Sequence, residues 1–136
     1  MKNLEQIRAA NALAYALAYA KARLGMRGQQ GGNVLKKLPA LVMGNGLLAA
    51  GAFAYAQKRA NSGWRTCFDH IAKHLAHPEI NIAPGSDDLE KLMDFLSATA
   101  DSQVLKLATE EALAWLSYAR RFEQSPENGG DDDTAD

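Results

Sequence analysis

The stretch "CFDHIAKHLAH" sets Cys67, His70, His74 and His77 at intervals of three, four and three residues. That spacing places them on one face of a helix, and thiolate and imidazole are ligands that zinc accepts. Four ligands strung over three turns of one straight helix cannot converge on a tetrahedral ion, because at 1.5 Å per residue the outer two lie about 15 Å apart. At most His70 and His74 chelate together. The face also lies one residue round from an apolar stripe of Trp64, Phe68, Ile71 and Leu75. The histidines are therefore expected at the boundary of an amphipathic helix, with no metal and no cofactor.

Other chemistry fares no better. Glu110 and Glu111 are adjacent, hence on different helix faces, and make a poor acid and base pair. No glutamate is followed three residues later by histidine, so the di-iron bundle pattern is missing. The loop "GQQGG" lacks the lysine and hydroxyl of a phosphate-binding P-loop. No catalytic constellation is found, and the chain reads as a protein that is not an enzyme and takes no small-molecule substrate.

Charge is more informative. The first 77 residues carry eleven basic side chains against Glu5 and Asp69, and the remainder carries four basic against fourteen acidic, so the halves stand at +9 and −10 within a net charge of −1. Such asymmetry suits a polyanion on one side and a solvating acidic part on the other. The residues expected to face a nucleic-acid backbone are Arg23, Arg27, Lys36, Lys37, Lys58, Arg59, Arg65 and Lys73. No aromatic-rich RNP-like pattern accompanies them, which argues against sequence readout by base stacking.

The elements that must position these residues are helices. Valine occurs only at 34, 42 and 104, and no stretch alternates apolar and polar residues as a half-buried strand would. A first helix is predicted from about Lys2 to Leu24, with Leu4, Ile7, Ala14, Leu17 and Leu24 near its buried face. "GMRGQQGG" ends it. Asn33 is the expected cap of a second helix, which Pro39 kinks or restarts and which continues to about Ala60.

Within that helix Leu38 to Ala56 has no charge and is long enough to cross a bilayer. Lysine and arginine flank it on both sides, and six alanines and three glycines make it small instead of strongly apolar. It reads as a helix packed closely on several sides, with the glycines of "GNG" at 44 to 46 marking a helix contact.

Ser62 is expected to cap a third helix bearing the Trp64, Phe68, Ile71, Leu75 stripe, and "HPEINIAPGS" breaks it. Ser86 is the expected cap of a fourth, buried through Leu89, Leu92, Met93 and Leu96. Asp101 caps the last, about Ser102 to Gln124, buried through Leu105, Ala108, Ala112, Trp115, Leu116, Ala119 and Phe122. The prediction is an all-α bundle of five to six helices over 1–124, with a disordered acidic tail over 125–136. One cysteine and no apolar leader block at the start fit a cytoplasmic protein.

Two segments carry a resemblance: "KKLPALVMGNGLLAAGAFAYAQ" and "LATEEALAWLSYARRF". Lys37, Leu38, Pro39 and Ala40, then Asn45, Gly46 and Leu47, then Ala108, Thr109, Glu111, Ala112 and Leu113, then Arg120, Arg121 and Phe122 stand in the order and spacing of the small α-helical subunit of the Cmr effector complex, the type III-B CRISPR RNA-targeting machine. The early "RAANALAYA" is similar too, and Tyr118 departs from an expected tryptophan. The resemblance implies a non-catalytic subunit in more than one copy, beside backbone and large subunits, lining the groove that holds guide RNA paired with target RNA. A helical adaptor that binds protein and never touches RNA is the alternative.

Overall fold

Alanine and leucine without strand alternation produce helices, and among the described residues there is no strand. The computed structural model describes residues 3–22, 31–57 and 63–123, with side chains for 3–17, 34–57 and 63–122. Arg23, Arg27, Lys58, Arg59, residues 25–30 of the expected glycine-rich loop, the Ser62 cap and the acidic tail lie outside them, while Gly31 and Gly32 of that loop are helical. Five helices follow: α1 (Leu4–Ala22), α2 (Gly31–Tyr55), α3 (Gly63–Ala76), α4 (Leu89–Asp94), which runs into a π turn at Phe95–Thr99, and α5 (Ser102–Glu123). Helix α1 packs chiefly on α5, while α2 lies across α5 and α3, and α4 closes the gap between α2 and α3. The all-α class read from the sequence is the fold observed.

Local chemistry decides where each helix begins. Asn3 Oδ1 accepts from Gln6 N (2.8 Å) and Gln6 Oε1 accepts from Asn3 N (2.9 Å), a reciprocal capping box that starts α1 at Leu4. Helix α2 starts at Gly31, so Asn33 lies inside its first turn and is not its cap. For α4 the cap is Asp88, whose Oδ1 accepts from Lys91 N (2.8 Å), and not Ser86. Asp69 of α3 adds a second acceptor, 2.8 Å from Leu89 N, so two carboxylates sit at that positive helix end. Asp101 caps α5 as expected, accepting from Val104 N (2.9 Å).

The core is one cluster in which Leu35, Leu38, Val42, Phe68, Ile71, Leu75, Leu92, Leu96, Trp115 and Leu116 are all buried. The buried faces of α3 and α5 agree with the periodicity read from the sequence. On α1 they do not. Ile7 is buried, but Leu4 and Leu17 are 42% and 62% exposed, Ala14 faces solvent, and the inward residues are Ala12 and Tyr15. Helix α1 is so rich in alanine that its apolar faces barely differ, and polar anchors described below choose its rotation.

Helix α2 departs from expectation twice. Its backbone passes through Pro39 without a break, since proline's fixed φ is compatible with helix and costs one hydrogen bond. The interruption falls at Gly46, at φ 88° and ψ 163°, a region essentially closed to residues with a Cβ. The "GNG" glycines are not a helix contact either: a Cβ on Gly44 or Gly46 would meet nothing within 4 Å. Close approach occurs at Gly51 instead, where a Cβ would collide with the Met93 terminal methyl and sulfur.

The segment Val34–Tyr55 does pass a length and composition test for a membrane span. Its surroundings differ from the several-sided packing expected, for Leu38, Val42, Leu47, Ala50 and Ala54 are buried while Met43, Asn45, Ala49, Phe53 and Tyr55 face outward. Gly46→Ala should lower stability by about 1–3 kcal/mol through backbone strain. Gly44→Ala, in open space inside the helix, should raise it by about 0.5–1 kcal/mol. Urea denaturation of both variants checks the pair, and a stabilising Gly46→Ala would mean that the break is not a constraint.

Candidate nucleic-acid interface

The titratable residues that looked most like a metal site are spent on structure. Asn11 Nδ2 donates to His74 Nδ1 (2.9 Å), which leaves the ring proton on Nε2 to donate to Glu111 Oε2 (2.9 Å). Arg8 completes the set with a two-pronged grip, Nε to Oε2 and Nη2 to Oε1 of Glu111, both at 2.7 Å. Burial alone would push the Glu111 carboxyl up, but the hydrogen bonds from Arg8 and His74 outweigh it and hold the group at about 2. His74 is therefore a core residue and not the boundary residue expected.

Its neighbours are placed as follows. His70 meets the Tyr15 ring edge-on at 4.7 Å, and its burial lowers its proton affinity. Cys67 is fully buried, which pushes its thiol up to about 12. Nδ1 of His77 accepts from Glu79 N at 3.1 Å. Among the described residues no group of three or more His, Cys, Asp or Glu side chains converges on a point that would hold a metal ion.

Of the eight basic residues read as backbone ligands, Lys36, Lys37, Arg65 and Lys73 are described. Lys36 is half-buried on α2 and Lys37 is exposed beside it. Arg65 holds the end of α2: Nη1 donates to the carbonyls of Tyr55 (3.1 Å) and Gln57 (3.2 Å), and its guanidinium lies 5.3 Å from the centre of the Tyr55 ring. A cation at this C-terminal end also complements the negative end of the helix. Lys73 is exposed, with Nζ 3.4 Å from the carbonyl of Asp87. The four therefore divide between two adjacent lysines on α2 and two residues engaged along α3.

Lys37 borders a feature that the sequence reading missed, a groove of about 630 Å³ whose lining includes Leu41, Asn45, Phe53, Gln57 and Trp64. Phe53 and Trp64 meet edge to face, with centroids 4.9 Å apart and planes at 77°. A usable signal was present. Lys37, Leu41 and Asn45 recur at intervals of four before the glycine break, and Phe53 and Gln57 do so after it.

Comparison with protein-family models gives a match over residues 4–125 to the family described as CRISPR-associated protein (Cas_Cmr5). The chain belongs to the Cmr5 family. It is thus a small subunit of a type III-B Cmr complex. No curated protein and no solved structure matches it.

Two of the segments that carried the resemblance to Cmr5 proteins meet in space. Gly46 interrupts α2 and frees the amide of Leu47, and Thr109 Oγ1 on α5 accepts it at 3.2 Å. Thr109 thereby caps the second half of α2 from another helix, two residues from Glu111, which grips α1. Asn-Gly-Leu and Ala-Thr-x-Glu-Ala-Leu are two sides of one joint. Thr109→Val should cost about 0.5–2 kcal/mol, the value of a lost helix cap, in thermal or urea unfolding.

Arg8→Met should cost about 3–5 kcal/mol by leaving the Glu111 carboxylate short of its partner. Because Glu111 is held at about 2 against an ordinary 4.5, the unfolded chain takes up protons first as the solution is acidified. The stabilisation is complete above pH 4.5 and should drain away as pH falls toward about 2. Urea denaturation over that window should show a flatter profile for Glu111→Gln than for the wild type.

Proposed function

We propose that this Cmr5-family chain is a non-catalytic subunit that stacks in more than one copy beside the backbone and large subunits of its complex. There it supports the guide RNA paired with target RNA through the basic residues of its first 77 positions, in antiviral defence. Residues 1–124 act as one helical bundle and 125–136 as an acidic tail. The chain works in the cytoplasm and away from membranes. The observation that carries this reading is the split of +9 against −10 between the two parts of the sequence, together with membership of the family. A phosphate backbone rewards clustered lysine and arginine without demanding base contacts.

A helical adaptor that binds only protein is the second reading, favoured by Leu17 and by Met43, which is 73% exposed. Salt dependence separates the two. One copy offers few phosphate contacts and should bind RNA with a dissociation constant of roughly 10⁻⁴ to 10⁻⁶ M at physiological salt, rising in affinity when copies align along one strand. Replacing Lys36 and Lys37 by alanine in the reconstituted complex should weaken target-RNA binding about equally across sequences. The salt slope should flatten by roughly one unit per lost contact. Identical curves for wild type and variant, with the variant incorporated, would assign the surface to protein contacts.

A further inference from the structure

We infer that the groove bordered by Lys37, Phe53 and Trp64 is a site for a single unpaired ribonucleotide. The inference rests on the RNA-supporting role proposed above and gives one of its surfaces a specific ligand. Phe53 is 46% exposed, and its ring is held edge to face against Trp64, so a large aromatic surface is presented in a fixed orientation. An unstacked base covers such a surface, and stacking on aromatic side chains is how unpaired RNA is commonly held.

The polar lining matches the rest of a nucleotide. Asn45 Nδ2 donates to the carbonyl of Leu41 (3.4 Å) and Gln57 Nε2 to that of Phe53 (3.2 Å), each amide being anchored to a carbonyl of α2 four residues earlier. One bond per amide leaves a carbonyl oxygen and a second N–H, the donor and acceptor set that base edges require. Lys37 supplies a cation for the phosphate, and among the described residues no carboxylate lines the groove. The volume of about 630 Å³ falls in the range of small-ligand sites and suits one nucleotide instead of a duplex. Because the amides accept and donate on several base edges, the site holds a base without selecting its identity.

The test compares an oligouridylate of about twelve nucleotides with an oligomer of abasic ribose phosphates of the same length. Each is titrated into the full-length chain and into the reconstituted complex, in a salt series. The uridylate should bind about fivefold tighter or more, the low end of one stacked base. Phe53→Leu, at a half-exposed position that keeps apolar volume, should make the two oligomers bind alike. Gln57→Ala should shrink the difference, and Lys37→Ala should weaken both oligomers.

Equal wild-type affinity for the two oligomers, with a normal salt slope, overturns the nucleotide site and leaves the backbone-binding role standing. Absence of any lysine-dependent salt effect overturns both. A Phe53→Leu chain that folds, keeps the uridylate advantage and fails to enter the complex would make the groove a protein-docking surface and also sink the inference.

Discussion

The chain of hydrogen bonds from half-buried Arg8 through Glu111 to buried His74 and on to Asn11 is the constraint on which the arrangement of helices depends. It ties α1, α3 and α5 at one level of the core. Burying a carboxylate is costly unless its lone pairs are met, and here a guanidinium fork and an imidazole N–H meet them. Partial satisfaction would be worse than an apolar core, so the network tolerates one rotation of α1 and one register against α5. Leu4 and Leu17 face outward because α1 follows its polar anchors and Tyr15, which lies 5.2 Å from Trp115 and 4.7 Å from His70.

A second constraint acts through the backbone of α2. Gly46 breaks the helix in open space, so the break is not forced by crowding; its stabilisation comes from Thr109, which caps the amide that the break frees. Both constraints reach α5 within three residues, Thr109 and Glu111, and that short stretch therefore orients α1 and the second half of α2 together. The outward row Lys37 to Asn45 of the first half of α2, with Phe53 of the second half and Gln57 just past its end, then flanks one groove. Arg65 holds the far end of the second half by its carbonyls, which keeps Trp64 beside Phe53.

Much of this is legible in the sequence alone. Helix class, the α5 boundaries with the Asp101 cap, and the stripes of α3 and α5 follow from periodicities strong enough to be unambiguous. The face of α1 was not legible, because alanines at 9, 10, 12, 14 and 16 leave periodicity little to distinguish, and its rotation is decided by partners more than sixty positions away. Pro39 attracted the expected break because proline is the stronger breaker on average, whereas a positive φ at Gly46 with a distant cap cannot be read from local sequence. The histidine face misled in a similar way. His74 is on that face not for a metal but for a glutamate thirty-seven residues later.

The opposed charges of the two halves attract each other within the fold. Arg8 of the basic half pairs with Glu111 of the acidic half, the Arg65 guanidinium lies 3.9 Å from Glu90, and Lys73 reaches the carbonyl of Asp87. Part of the +9 is therefore spent on attraction between the halves, and the charge offered outward is smaller than the count implies. Exposed pairs of this kind contribute little to stability, but Arg8 with Glu111 is shielded from water and acts as a structural tie. Among the described residues Lys37 and Lys73 are the exposed cations of the basic half, and a site with few phosphate contacts gains affinity when it is repeated along a strand. The proposed stacking of copies would supply that repetition, with the joint at Thr109 and Glu111 fixing how each copy presents its aromatic groove.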